Sequence, residues 1–290
     1  MRARNPRIIY ARGTGQGPLG PDANKGGFDG LSYWSRPGVS TSSIPPDYKF
    51  PVMLPGPAFG DIQSGMNMAG GIAAALFRRE KTGESGIVDV SLYGSGLWAM
   101  QASIAGSYVS GRNNIVQLDR TKPANPIANI YGSKDGKFFV VGMLEADRYW
   151  PAFTAAFGHP ELADDPRFAT IELREKNCEE CVRTLDAIFA ELTMAEIEDR
   201  LNSQEGPWGS VNEPGDAVTD EQAIANGYMQ MVKHETGAQM PLIPAPALAD
   251  CEVPQLRRAP QHCEHTEELL AAIGLGEEEI INLRISGAVA

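Results

Sequence analysis

Residues 56–92 read GPAFGDIQSGMNMAGGIAAALFRREKTGESGIVDVSL, and the rest of the chain is organised around this stretch. A Gly- and Pro-rich loop delivers one carboxylate, Asp61, to the start of a helical pattern. Asp suits an N-cap, because its side-chain oxygen accepts from the unpaired N–H groups of a first turn. Met66, Ala69, Ile72, Ala73, Leu76 and Phe77 then recur at helical spacing, with small residues between them that permit close packing. Arg78, Arg79 and Lys81 fall in the last turn, where cations suit the helix dipole, and Gly83 is placed to end the helix. Residues 87–92 read as a strand. By pattern alone the commoner meaning is a core helix with an ordinary Asp cap.

The chain has 290 residues, 42% of them apolar, enough for a substantial core in one large or two smaller domains. At this size folding buries about 75% of the surface of the unfolded chain. A formal charge of −12 argues against nucleic acid or an anionic membrane as partner. No stretch has the unbroken apolar length of a membrane helix and residues 1–7 are no signal peptide, so a cytoplasmic protein is expected. Cys178 and Cys181 form a CxxC with Glu179 and Glu180 between them, inside a charged helical segment. The other half of a zinc set would have to come from His262, Cys263 and His265, in an unrelated context. Reduced structural thiols and no metal are therefore expected.

Residues 5–11 (NPRIIYA) predict a buried strand, followed by a glycine-rich loop at 13–20 (GTGQGPLG). That order could cradle a phosphate, but no helix start follows closely, so a dinucleotide fingerprint fails its context. Residues 26–39 predict a short helix carrying Leu31, Tyr33 and Trp34; 40–57 a loop; 93–111 a second long helix. Residues 1–112 form part of a large α/β domain and 113–125 a linker. A small α+β domain follows at 126–214, with a hairpin bent at Asp135-Gly136 and helices at 150–157 and 178–201. Arg167 and Arg174 suit ion pairs better than phosphates. Residues 215–290 return to the large domain, with a hairpin around Gly237 and a final helix at 267–273. Strands alternating with helices in the large domain imply parallel strands, hence the α/β class.

The Gly60-Asp61 pair, the small-residue helix and RREKTGESGIVDVSL resemble the central signature of the family III CoA-transferases. So do the NPR strand with its G-x-G loop, the Leu162-x-x-Asp165-Pro166-x-Phe168 spacing, Ala259-Pro260, and Glu264-His265-Thr266, where Cys263 replaces the usual Gly. The resemblance implies a Rossmann-like large domain plus the small domain. It also implies Asp61 as nucleophile, with Arg12, Thr14, Gly15, Gln16 and Gly60 against the CoA. Acyl-CoA and a free carboxylic acid would be the substrates, with no permanent cofactor and an interlocked homodimer as the assembly. Transfer would run through aspartyl anhydrides and an aspartyl-CoA thioester, with backbone N–H groups near Gly60 holding the oxyanion.

Two alternatives stay open. Racemases of the same superfamily carry a His where Phe28 stands, a partner that two-base proton transfer needs. A non-catalytic remnant is the other, since the family's upstream part has no counterpart here and CoA binding by residues 1–290 alone is expected to be weak. A mobile glycine run found in some members is also missing from residues 121–127 (TKPANPI).

Overall fold

The computed structural model describes Met1 and residues 3–44, 48–115 and 119–290. Parts of the loop expected at 40–57 and of the linker expected at 113–125 lie outside the described residues. The chain divides into two compact units, Met1–Gly209 and Ser210–Ala290.

The first unit opens with β1 (Tyr10–Thr14), a π-helical segment at Asp29–Ser35, and the short α1 (Val39–Ser42). The long α2 (Phe59–Thr82) follows, then β2 (Ile87–Ser91), α3 (Leu92–Ala99) and α4 (Gln101–Ser110). β1 and β2 pair in parallel, with Arg12 opposite Asp89, so β1–α2–β2 is a crossover unit of the α/β kind. The Arg12 Nε donates to Asp89 Oδ2 at 2.7 Å, a charged cross-strand pair that favours this register. α2 packs on β2 through Gly71, where a Cβ would stand 2.7 Å from Val88 Cγ1. It ends at Gly83, as its sequence predicts, with Arg79 and Lys81 in the last turn.

Two expectations for this region need correction. The first strand is Tyr10–Thr14 rather than 5–11, and four of its five residues are exposed rather than buried. Residues 4–8 are taken up by turns closed by Arg4 N–H to Met1 O and Ile8 N–H to Asn5 O, and pairing starts only where Tyr10 meets Ile87. The helix expected over 93–111 is two helices, because Met100 (φ −93°, ψ 5°) leaves the helical region between α3 and α4.

β3 (Ala128–Gly132) and β4 (Phe138–Gly142) form the expected antiparallel hairpin, bent at Gly136 with φ 76°. α5 (Ala146–Ala156), α6 (Ile171–Lys176), α7 (Cys178–Phe189) and α8 (Met194–Asn202) follow, and β5 (Trp208–Val211) joins the edge of β4. The helix expected at 178–201 is thus broken. Thr193 begins α8 with a capping box, its backbone N–H donating to Glu196 Oε2 at 2.8 Å. The buried core runs from Ile127 to Leu201 and centres on Phe189, whose ring meets Tyr131, Phe139 and Phe157 at centroid distances of 5.0, 5.1 and 4.9 Å. Burying each such side chain contributes about 1.5–3 kcal/mol. Arg174 is fully buried, bound to Asp147 and stacked 4.7 Å from the Trp150 ring, while Arg167 pairs with Asp165 and Glu180. Both arginines are ion-paired, as expected.

The second unit holds α9 (Glu221–Ala225), the hairpin β6 (Gln230–Lys233) and β7 (Gln239–Leu242), α10 (Thr266–Ala272) and α11 (Glu277–Ile285). The hairpin falls where the sequence places it. α11 is an additional helix beyond the one expected to be last. Among the described residues no helix is long and apolar enough to cross a membrane, and no group of three or more His, Cys, Asp or Glu could hold a metal.

Candidate active site

An open cavity of about 380 Å³ lies between the loop after β1, the first two turns of α2 and the end of β2. Its walls include Thr14, Gly15, Gly27, Asp61, Ser64 and Met68. Larger hollows of about 470 and 630 Å³ exist elsewhere, where Arg7 pairs with Glu80 and His159 Nδ1 with Glu161 at 3.0 Å. The smaller cavity holds one exposed carboxylate, Asp61. Among the described residues the Asp61 side chain makes no hydrogen bond or ion pair, whereas the nearby carboxylates are all engaged. Asp89 holds Arg12, Asp22 holds Lys25 and Arg36, and Asp29 holds the start of α2.

That last contact corrects the expected role of Asp61 as the N-cap. The helix starts two residues earlier, at Phe59, after Ala58 in the left-handed region (φ 61°), and no side chain of the flanking residues caps it. Asp29 does so from a distance: its Oδ2 accepts the Gly60 N–H at 2.8 Å and the Asp61 N–H at 3.4 Å. Ile62 N–H donates to Ala58 O at 2.9 Å. The backbone donors beside Asp61 are therefore occupied, and those of Gly60 and Asp61 are not free to hold an oxyanion. Asp61 sits within the first turn, where the dipole favours a negative charge.

Of the six residues singled out from the sequence, Asp61, Thr14 and Gly15 come together on the cavity wall. Gly60 lies behind it, against Tyr33, because a Cβ at 60 would stand 2.2 Å from Tyr33 Cγ. Burial raises the Tyr33 phenol above its ordinary range, and the negative charge of Asp29 adds to this. Gln16 is off the wall: its amide donates to Ser32 Oγ at 2.8 Å and its oxygen accepts from Arg36 at 2.6 Å, while Arg36 covers the Tyr93 ring at 4.6 Å. Arg12 points its guanidinium at Asp89. Thr14 Oγ1 accepts the Gly17 N–H at 3.2 Å, which tightens the glycine loop.

Sequence reasoning missed three residues here. Asp29 and Tyr33 position the start of α2, and Gly27 backs directly onto Gly15, so that a Cβ at 15 would stand 2.5 Å from Gly27 Cα. The signal for Asp29 was a lone buried-type Asp in GGFDG, visible only once its partner 31 residues on is known. Phe28 is 75% exposed.

The profile of CoA-transferase family III matches residues 1–266. The chain belongs to this family. It is 30% identical over 285 residues to the cinnamoyl-CoA:phenyllactate CoA-transferase of Clostridium sporogenes, covering 98% of this chain and 69% of that protein. It is 27% identical over 290 residues to the (R)-2-hydroxy-4-methylpentanoate CoA-transferase of Clostridioides difficile, covering all of this chain and 71% of that protein. A CaiB/BaiF family protein from Brucella suis has a similar fold, with a TM-score of 0.78 at 24% identity, over 94% of this chain and 69% of that one. The mixed α/β class read from the residue pattern and the CoA-transferase family implied by the resemblance are thereby established.

Proposed function

We propose that this chain moves CoA from an acyl-CoA donor to a free carboxylic acid, with the Asp61 carboxylate as nucleophile. The observation that carries this reading is the unpartnered Asp61 side chain on the wall of a glycine-lined cavity, among carboxylates that are all engaged. An Asp61 oxygen attacks the thioester carbonyl carbon. The C–S bond breaks, giving an acyl-aspartyl anhydride and CoA thiolate. The thiolate attacks the aspartyl carbonyl carbon, releases the donor acid as carboxylate and leaves an aspartyl-CoA thioester. The acceptor carboxylate repeats the sequence in reverse, and no net proton is consumed. A carboxylate is a weak nucleophile, so placement and exclusion of water must supply much of the acceleration.

Arg12, Thr14, Gly15, Gln16 and Gly60 remain our proposed CoA-side residues. Thr14 and Gly15 would touch the ligand from the cavity wall, Gly60 would permit close approach behind Asp61, and Arg12 and Gln16 would act from their present partners. A homodimer is supported by Ile62, Met66 and Phe77, which leave apolar surface exposed along α2. Residues 126–214 as a separate small domain are supported by the core that runs from Ile127 to Leu201. A phenyl ring at 28 cannot exchange protons, which favours transfer over racemisation.

The test is to supply cinnamoyl-CoA and phenyllactate, the pair named for the Clostridium sporogenes relative, together with hydroxylamine. Conversion of Asp61 to a hydroxamate, seen by mass on its peptide, is expected. Turnover without any modification of that peptide would overturn the covalent route.

A further inference from the structure

The Ser64 hydroxyl is buried, with the residue 7% exposed, and its Oγ has no hydrogen-bond partner. Buried hydroxyls seldom go unpaired, since each such group forfeits its hydration with nothing in return. A helical serine usually relieves this by bonding back to the carbonyl four residues earlier, and Ser64 does not. It stands three residues after Asp61, on the same face of α2, and lines the same cavity. The wall of that cavity also carries Thr14, Met68, Val90 and Leu92. The backbone N–H groups that could have served Asp61 are held by Asp29 and by Ala58 O.

We propose that Ser64 is a catalytic residue, its hydroxyl donating a hydrogen bond to the carbonyl oxygen of the thioester under attack by Asp61. This rests on the proposed role of Asp61. The hydroxyl proton stays on Oγ throughout; the bond shortens as charge gathers on the carbonyl oxygen and relaxes when the C–S bond breaks. A donor of this type acts on the transition state, so its removal falls on kcat rather than KM.

The experiment compares Ser64→Ala, Ser64→Thr and Asp61→Asn with the parent chain, using cinnamoyl-CoA and phenyllactate and thermal melts of each protein. Ser64→Ala is expected to lower kcat about 10²-fold, as for the loss of one oxyanion donor, with KM nearly unchanged. Its Tm should hold or rise, because an unpaired buried hydroxyl has been removed. Ser64→Thr, which keeps the hydroxyl, should recover most of the kcat. Unchanged kcat in Ser64→Ala, a loss confined to KM, or a Tm lowered by several degrees would each overturn the proposal while leaving Asp61 in place. Full turnover by Asp61→Asn, or none by the parent chain, would remove the reading on which it rests and the proposal with it.

Discussion

The Asp29 carboxylate accepts the Gly60 amide proton at 2.8 Å across 31 residues of sequence, and so caps a helix to which it does not belong. The contact is buried, and the second oxygen of the carboxylate has no partner. It ties the π-helical segment at Asp29–Ser35 to the turn that carries Asp61, with the Tyr33 ring filling the space beside Gly60.

Asp29→Ala is expected to destabilise the chain by about 1–2 kcal/mol, the range for losing a cap with its donors left buried. Asp29→Asn keeps an acceptor oxygen and should lose less than half as much. Urea titration with both variants measures this. Equal losses would show that charge rather than the hydrogen bond matters.

Gly15→Ala should disturb the cavity more than an ordinary surface change, since the added Cβ meets backbone at Gly27 and not the tip of a flexible side chain. A loss of about 1–3 kcal/mol is expected, as for overpacking in a core. Chemical denaturation measures it, and a change within about 0.5 kcal/mol would show that the two loops part freely.

In the second unit Arg258 holds Glu264, with help from the Gln261 N–H, and pulls its carboxyl down to about 2 from 4.5. A depressed folded value stabilises above the unfolded one and is lost as pH falls through the folded one. Protection of peptides spanning 258–266 from hydrogen exchange should therefore decline between about pH 4.5 and 2. Glu264→Gln should flatten that decline; an unchanged profile in the variant would count against it.

Burial pushes the Cys181 thiol up to about 12 from 9.0. Here the sign reverses: the raised value stabilises below about pH 9, and the contribution fades as pH climbs toward 12. Stability should fall over that window in the parent chain and less so in Cys181→Val. Iodoacetamide on the native chain should label the exposed Cys251 and spare Cys181. Equal labelling would show that the core from Ile127 to Leu201 opens.

Local signals in the sequence were reliable where chemistry is local. The helix through residues 66–77, Gly83 behind Lys81, Asp135-Gly136 at its bend and the hairpin around Gly237 all lie where the pattern puts them, but the apolar stripe of α2 is largely exposed rather than in a core, with Met66 and Phe77 at the surface. The break after α7 was missed, although Thr193 and Glu196 stand three apart as a capping box requires. The start of α2 was not legible. Its cap comes from Asp29, and its first residue is set by the conformation of Ala58, a residue type with no preference for the left-handed region. The displaced first strand has a similar origin, since its register depends on Arg12 meeting Asp89 across 77 residues. Ser64 was hidden for a further reason: a missing hydrogen bond has no counterpart in a residue string.

Ala58 acts as a stop that sets angle as well as position. An α-helix turns by about 100° and rises 1.5 Å for every residue, so a start slipped by one place would swing Asp61 away from Thr14 and Gly15 altogether. A left-handed residue cannot be absorbed into the helix, and slippage of that kind is barred at its source. The aim of the proposed nucleophile is thereby fixed by one backbone torsion three residues upstream, before any substrate arrives.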